Sequence, residues 1–247
     1  MKRIERHKLK ENEFARTVER ARQTIAERQR EVTIATVAVI VILIAFGAYS
    51  TWRSSRASRA NNLLASALAV AEAPVVTPPP PAPGSPPPVQ QPGTYRTEAA
   101  RAEAALPKLM DVADRYPNTD AGITARYRAA ATLAELGRLS EAEQRYQEVI
   151  GEAGASSLYG RTARLGLADV QVAQKKYDAA ITTLRELSTD TDSQLPLDGV
   201  LMELGRAYAR AGKADEAKRA FTRVTDEFPQ SLYASEARDQ IATLKKG

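Results

Sequence analysis

The sequence predicts an all-α protein in which one membrane-spanning helix precedes a stack of paired helices. Three observations support this fold class: an uncharged apolar run near the N-terminus, prolines gathered into one stretch, and three similar turn sequences in the C-terminal half of the 247-residue chain. Glycine and proline are the strongest helix breakers, and glycine is scarce, at 13 residues. Helices are therefore favoured on both sides of the proline-rich stretch.

The apolar run covers residues 32–52 and contains no charged side chain. As a helix, its 21 residues would extend roughly 31 Å, close to the thickness of the hydrocarbon core of a bilayer. Tyr49 and Trp52 lie at its end, where aromatic rings prefer the membrane interface. A cleaved signal peptide is the alternative, but such peptides have a short basic lead, whereas 31 mostly polar residues precede this run. We predict a retained membrane anchor.

Basic residues flank the apolar run more densely on its N-terminal side. Residues 1–31 carry ten basic and six acidic side chains, whereas residues 53–73 carry three arginines and one glutamate. The positive-inside rule then predicts a cytoplasmic N-terminus and places residues 53–247 across the membrane, which is the periplasm if the protein lies in a bacterial inner membrane. Residues 1–31 also have the spacing of a basic amphipathic helix, which predicts either a helix on anionic lipid or a solvated extension of the membrane helix.

Composition excludes several kinds of active site. The chain has no cysteine and one histidine, His7, so a Cys nucleophile, a His-centred triad and a Cys- or His-based metal site are excluded. No glycine-rich phosphate loop or nucleophile elbow is present in the sequence. Residues 95–247 carry 22 basic and 23 acidic side chains, without the basic surplus that nucleic acid binding requires. We predict no enzyme activity, no cofactor, no metal and no nucleic acid ligand.

Ten of the 14 prolines lie between Pro74 and Pro92. Proline lacks a backbone donor and favours an extended chain, so residues 74–94 are predicted to form a linker. This linker would separate a juxtamembrane helix at residues 53–73 from a repeat domain at residues 95–247. Binding to a proline-recognising domain is the alternative function of the stretch, although such ligands usually work in the cytoplasm.

Three turn sequences, GRLSEA, KKYDAA and GKADEA, end in alanines that are 38 and 37 residues apart. Each alanine is followed four residues later by a bulky side chain. The pairs are Ala142 with Tyr146, Ala180 with Leu184, and Ala217 with Phe221. A small residue lets two helices approach, and a bulky residue one turn later fills the groove between them. The pattern predicts three helix–turn–helix units.

The third unit resembles the tetratricopeptide repeat (TPR), a degenerate helix pair of about 34 residues. The residues that carry the resemblance are Leu204, Gly205, Tyr208, Gly212, Ala217, Phe221 and Pro229. The first two units keep only part of this pattern. The resemblance implies a right-handed TPR-like α-solenoid of about three to four helix pairs, which ends in a C-terminal capping helix over residues 232–244.

A further helix pair is expected before the first unit. Residues 114–125 (DRYPNTDAGITA) resemble residues 226–237 (DEFPQSLYASEA), so the helix that ends at Tyr116 should serve as the second helix of this pair. Its partner would be the helix at residues 53–73, with the linker inside the unit. Pro107 should kink the second helix or delay its start, because proline cannot donate the helical hydrogen bond.

Stacked TPR units leave a concave groove lined by their first helices. The residues that the TPR resemblance places in this groove are Thr124, Tyr127, Glu135, Leu165, Asp169, Val172, Met202, Arg206 and Arg210. They combine apolar side chains with charges of both signs, which suits an extended peptide or a partner helix better than a small anion. The resemblance therefore implies protein or peptide partners.

The membrane helix and the Pro-x-Ser-x-x-Ala block at Pro229, Ser231 and Ala234 make the chain similar to the ancillary SecYEG translocon-subunit family. That resemblance implies a scaffold near the Sec channel, with periplasmic repeats that work alongside chaperones in protein export. A weaker resemblance, to the TPR domain of the Tol–Pal cell-division coordinator, implies a scaffold for division or outer-membrane assembly. A third hypothesis is a cytoplasmic-facing sensor in which residues 1–31 act and the repeats only oligomerise.

Overall fold

The computed structural model describes residues 29–77, 90–190 and 194–244. Within these ranges the chain forms nine helices and no strand, which confirms the all-α prediction; Val75 and Tyr95 pair as an isolated β-bridge. The helices are α1 (Gln29–Ala71), α2 (Glu98–Arg115), α3 (Asp120–Glu135), α4 (Leu139–Ala153), α5 (Leu158–Ala173), α6 (Tyr177–Thr189), α7 (Leu197–Arg210), α8 (Ala214–Glu227) and α9 (Ala234–Leu244). Most of the amphipathic segment predicted at residues 1–31 lies outside the described residues.

The chain divides into two units, residues 1–55 and residues 56–247. In the first unit, the large apolar side chains of α1 from Ile34 to Trp52 are 49–69% exposed. The core helix of a soluble protein would bury such side chains. In the described part of the chain, α1 is the one helix that is long and apolar enough to cross a membrane.

In the second unit, each helix packs against the next one along the chain. The helices α3, α5 and α7 also lie side by side, α3 against α5 and α5 against α7. Each of these three first helices is followed by a second helix, α4, α6 or α8. Fully buried Phe221 joins the last pair, where it packs with Leu201 of α7. The result is the stack of helix pairs that the turn sequences predict.

The C-terminal part of α1, residues 56–71, forms the first helix of an additional pair. Ala67 is fully buried and packs with Leu109 of α2, and its small side chain lets the two helices approach. Beyond α1 the chain stays close to α2, because the Tyr95 N–H donates a hydrogen bond to the Pro74 carbonyl at 3.0 Å. The expected pairing across the linker is confirmed.

α2 begins at Glu98, well before Pro107. The Thr97 hydroxyl accepts a hydrogen bond from the Ala100 N–H at 3.0 Å and so caps the N-terminus of the helix. Pro107 follows in the helix interior, and the burial of neighbouring side chains such as Leu109 offsets the hydrogen bond that proline cannot donate. Of the two effects expected of Pro107, the delayed start of the helix is therefore wrong, and the kink stays a prediction.

A left-handed residue follows the first helix of each of the three repeat units. Gly137 and Gly212 adopt φ values of +73° and +75° after α3 and α7, a conformation that glycine adopts without steric cost. Lys175 takes the same conformation after α5, with a φ of +63°, although a side chain there costs roughly 1–2 kcal/mol. The packing of α5 on α6 outweighs this cost, which explains how the second unit turns without a glycine.

Candidate partner-binding surface

Three neighbouring helices form one face of the repeat domain. Tyr127 of α3, Asp169 of α5, and Glu203, Arg206 and Arg210 of α7 lie close enough for their charges to influence one another. We call the surface formed by these five residues the inner face. It spans three successive units, because α5 contacts both α3 and α7. Four of these five residues are among the nine predicted to line the groove. The fifth, Glu203, was not predicted from the sequence.

Tyr127 supplies the aromatic part of the inner face. Its ring packs edge-on against Tyr146 of α4, with the ring centroids 5.8 Å apart, and Tyr146 in turn lies over Gly166 of α5. Burial raises the pKa of Tyr127; the charge of Arg128 opposes this rise and that of Asp169 adds to it. The hydroxyl therefore stays neutral and can donate a hydrogen bond to a bound partner.

Asp169 lies between Tyr127 and the arginines of α7. Burial raises the pKa of its carboxyl to about 7; the negative charge of Glu203 adds to the rise, whereas Arg206 and Arg210 oppose it. Water still reaches this side chain, but the helices on either side displace much of the solvent that would otherwise stabilise its charge. Within the described ranges, Asp169 forms no hydrogen bond or ion pair. The inner face thus presents a carboxyl group without a partner.

Asp169→Asn is expected to stabilise the protein at alkaline pH. The folded-state pKa lies above the ordinary value of 3.8, so the native state binds this proton more tightly than the unfolded state. Wild-type stability should therefore fall as the pH rises from about 4 to about 7. The variant should exceed wild type in free energy of unfolding by about 1 kcal/mol near pH 8, after allowance for solvent screening. The gain should nearly vanish near pH 4.

Urea unfolding in detergent, followed by circular dichroism, measures this difference at each pH. Asp239→Asn is the matched control, because Asp239 is an exposed carboxylate on α9 and its charge is not among those that act on Asp169. A stability gain for Asp169→Asn that is the same at both pH values, or that Asp239→Asn reproduces, would contradict the assignment of the raised pKa to the inner face.

The cap helix α9 covers the C-terminal end of the inner face. The guanidinium of Arg206 donates to Glu203 on its own helix and to Glu236 of α9, the latter at 2.6 Å. Met202, one turn earlier on α7, is fully buried and packs against α9. The prediction that Met202 lines an open groove is wrong, because the last helix of the stack occupies that side. Arg206 is held by two carboxylates, whereas Arg210 is exposed.

Four other predicted groove residues lie outside the inner face. Val172 is only 8% exposed in a core that α7 helps to form, so its assignment to the groove is wrong. Leu165 is half-buried against the same core. The hydroxyls of Thr124 and Tyr159 are hydrogen-bonded at 2.9 Å and join α3 to α5. Glu135 is exposed at the end of α3.

A hollow lies where α1, α2 and α3 meet. Two cavities of about 420 and 440 Å³ share Arg101, Ala102 and Glu135 in their linings. Alanines such as Ala102 and Ala105 line the apolar part of the hollow, and charged side chains that include Arg101, Arg128 and Glu135 line the rest. Only Glu135 is among the residues predicted from the sequence. The hollow depends on α1 and α2 meeting across the linker, which the spacing within one helix cannot reveal.

The stacked helix pairs and the apolar helix before them have counterparts among known proteins. A family model described as a tetratricopeptide repeat-like domain matches residues 26–241. The chain belongs to this family. The matched residues begin before the apolar run and end within α9, so the TPR-like domain includes both the apolar part of α1 and the helix pairs. The TPR-like fold expected from the third unit is confirmed.

Two solved structures are similar in fold to this chain. BtubC (BKLC) from P. vanneervenii has a TM-score of 0.52 and 15% sequence identity, over 60% of the TPR-like chain and 69% of its own. The TPR-like repeats of a kinesin light chain from Podosopora anserina have a TM-score of 0.51 and 15% identity, over 59% and 78%. At these identities the likeness concerns the fold alone. No curated protein matches the chain.

Proposed function

We propose that the protein is a single-pass membrane scaffold whose TPR-like domain binds protein partners on its inner face. The observation that carries this proposal is the family match, which spans the apolar helix and the repeats together. In the proposal, residues 32–52 span a bacterial inner membrane, the N-terminus is cytoplasmic and the repeat domain is periplasmic. The excess of basic residues before the apolar run supports this orientation.

The inner face has the chemistry of a surface for a peptide or a partner helix. Tyr127 offers a fixed aromatic ring, and the hollow between α1, α2 and α3 offers separate alanine-lined apolar space. Asp169 and Arg210, each without an ion pair in the described residues, offer one charge of each sign. A partner segment with an apolar side chain flanked by opposite charges would match all these features. Aromatic anchors carry a large share of interface energy, so Tyr127 should contribute most.

A membrane anchor allows a modest affinity to be effective. It confines the inner face to a layer near the bilayer, which raises the local concentration of any partner that is also at the membrane. We therefore propose a role as an ancillary component of the translocon and chaperone network in protein export, where exported chains and chaperones meet at the membrane. The similarity to the ancillary translocon-subunit family supports this role.

Protease treatment of spheroplasts tests the orientation. The proposal predicts digestion of residues 56–247 and survival of a short fragment that contains the apolar run. Protection of residues 56–247 in intact spheroplasts, with digestion only after lysis, would contradict the periplasmic placement and favour the cytoplasmic-facing sensor.

Crosslinking in native membranes followed by mass spectrometry tests the role in export. The proposal predicts channel subunits or periplasmic chaperones among the crosslinked proteins. Recovery of Tol–Pal or outer-membrane assembly factors without any channel subunit would contradict the export role. That result would favour the alternative, a cell-envelope scaffold for division or outer-membrane assembly.

A further inference from the structure

Large apolar side chains are exposed at two equivalent places in the repeat domain. In the described chain outside the apolar run of α1, the large apolar residues that are exposed are Val76, Leu158, Tyr159, Leu232 and Tyr233. Four of the five belong to two copies of Ser-Leu-Tyr, at residues 157–159 and 231–233. Leu232 is 98% exposed and Leu158 is 51% exposed. Single exposed apolar residues are common, but a repeated pair at the same place in the fold indicates a contact surface.

The serines hold the backbone at both places. The Ser157 hydroxyl caps α5 by accepting a hydrogen bond from the Gly160 N–H at 2.9 Å. The Ser231 hydroxyl donates to the Asp198 carboxylate at 2.6 Å and accepts from the Tyr233 N–H at 3.1 Å. These bonds fix the turns that precede α5 and α9, so the following leucine is kept at the surface instead of folding into the core.

The tyrosines have a structural role that the leucines lack. Tyr159 is hydrogen-bonded to Thr124 of the preceding first helix, and the ring of Tyr233 packs on Gly199 of α7. One side of each tyrosine ring therefore packs against a neighbouring helix, and both tyrosines remain 37% exposed. Packing between units explains the buried sides of the rings. It does not explain why the leucine that precedes each tyrosine is exposed to solvent.

Both copies lie on one edge of the repeat domain. Successive helices run in opposite directions, so the junctions after α2, α4, α6 and α8 share this edge, which we call the loop edge. The Arg161–Asp190 ion pair, at 2.8 Å, joins two of these junctions. Arg56 of α1 contacts the first junction: it donates to the Arg115 carbonyl at 3.2 Å and lies over the Tyr116 ring, 5.8 Å from its centroid.

We propose that the loop edge binds the lipid surface and inserts Leu158 and Leu232 into the membrane interface. Arg56 follows Trp52 by four residues, so the chain between them extends at most about 14 Å. The first junction, which Arg56 contacts, is therefore within this chain length of any bilayer that holds the apolar run. Leucine side chains enter the boundary between headgroups and acyl chains, and tyrosine rings favour the headgroup level. This inference rests on the membrane anchor of the proposed function.

A lipid surface is the partner that the tether makes permanently available. One leucine binds a bilayer weakly, but two leucines on a tethered domain act at a high effective concentration. Arg53 and Arg59, on either side of Arg56, add attraction to anionic headgroups. Binding of the loop edge would restrict rotation of the repeat domain about its tether, and so would limit the directions from which a partner reaches the inner face.

Site-specific fluorescence in lipid nanodiscs tests this inference on the full chain. The absence of native cysteine allows Leu158→Cys and Leu232→Cys to be labelled singly with a polarity-sensitive dye. Nanodiscs of phosphatidylethanolamine and phosphatidylglycerol carry nitroxide groups either at the headgroup or on the acyl chain. Ala214→Cys is the matched control, because Ala214 is an exposed residue at the start of α8, on the opposite edge. Trp52, the single tryptophan, reports insertion of the anchor in the same samples.

We expect a blue shift and strong quenching of the dyes at positions 158 and 232 by headgroup and shallow acyl nitroxides, and neither effect at position 214. A second outcome is that nitroxide quenches Trp52 but leaves the dyes at 158 and 232 as bright as the dye at 214. This result would overturn the lipid contact of Leu158 and Leu232 and would support the membrane anchor. A blue shift without nitroxide quenching would show contact between protein copies and would also overturn the lipid contact. If Trp52 itself is not quenched, the anchor is overturned and the lipid contact with it.

Discussion

Arg126→Ala is expected to lower the free energy of unfolding by about 3 kcal/mol. Arg126 is only 5% exposed on α3. Its guanidinium donates to the Ala113 carbonyl near the end of α2 at 3.0 Å, and it forms ion pairs with Glu148 and Glu152 of α4. One side chain therefore joins three helices. Its removal leaves a buried carbonyl unsatisfied and Glu152 without its counter-charge, whereas Glu148 keeps its ion pair with Arg145.

Arg138→Ala is the matched control for this prediction. Arg138 also pairs with a glutamate, Glu141 at 2.6 Å, but the two side chains are 46% and 54% exposed. Exposed pairs contribute little, so the control should leave the free energy of unfolding nearly unchanged. Urea unfolding of both variants in detergent gives the comparison. Equal losses would mean that Arg126 does not join the helices as described.

Gly205→Ala is expected to destabilise the repeat domain by about 2–3 kcal/mol. A Cβ at this position of α7 would overlap the ring of Phe221 on α8. Phe221 is fully buried, so in a close-packed interior its ring can move only by displacing its neighbours. Thermal and urea unfolding, followed by circular dichroism, measure the loss. Phe221→Leu in the same chain should relieve part of the clash, so the double variant should be more stable than the sum of the single effects predicts.

Gly151→Ala is the matched control for Gly205→Ala, because it should stabilise the protein instead of destabilising it. Gly151 lies within α4 and has nothing within 4 Å of the place where a Cβ would stand. Alanine there should raise stability by roughly 0.5–1 kcal/mol, because glycine loses more backbone freedom on folding. If Gly205→Ala behaves like Gly151→Ala, the close approach of α7 and α8 that underlies the TPR resemblance is absent.

Much of the fold could be predicted because the signals that specify it are local. Gly205 and Phe221 stand at the spacing that two crossing helices require, and the structure places one against the other. The pairing of α1 with α2 followed from the similarity of residues 114–125 to residues 226–237. Lys175 was the exception, since a lysine at a left-handed turn gives no signal of its own. There the neighbouring helices determine the conformation.

The binding surface was less predictable because helical spacing gives the direction of a side chain and not what covers it. Met202 and Arg206 do share one side of α7, but α9 covers Met202 and holds Arg206 through Glu236. Val172 lies under the next unit for the same reason. The environment of Asp169 depends on residues of two other helices, so its raised pKa also has no signature in the sequence.

Photo-crosslinking in native membranes tests the central claim most directly. A photoreactive residue would replace Tyr127 or Arg210 on the inner face or, as the control, Lys218, which is exposed on the second helix α8. Arg206 is avoided because its loss would release α9. The account predicts the same crosslinked protein partner from positions 127 and 210 and none from position 218. A partner captured from position 218 but from neither inner-face position would contradict it.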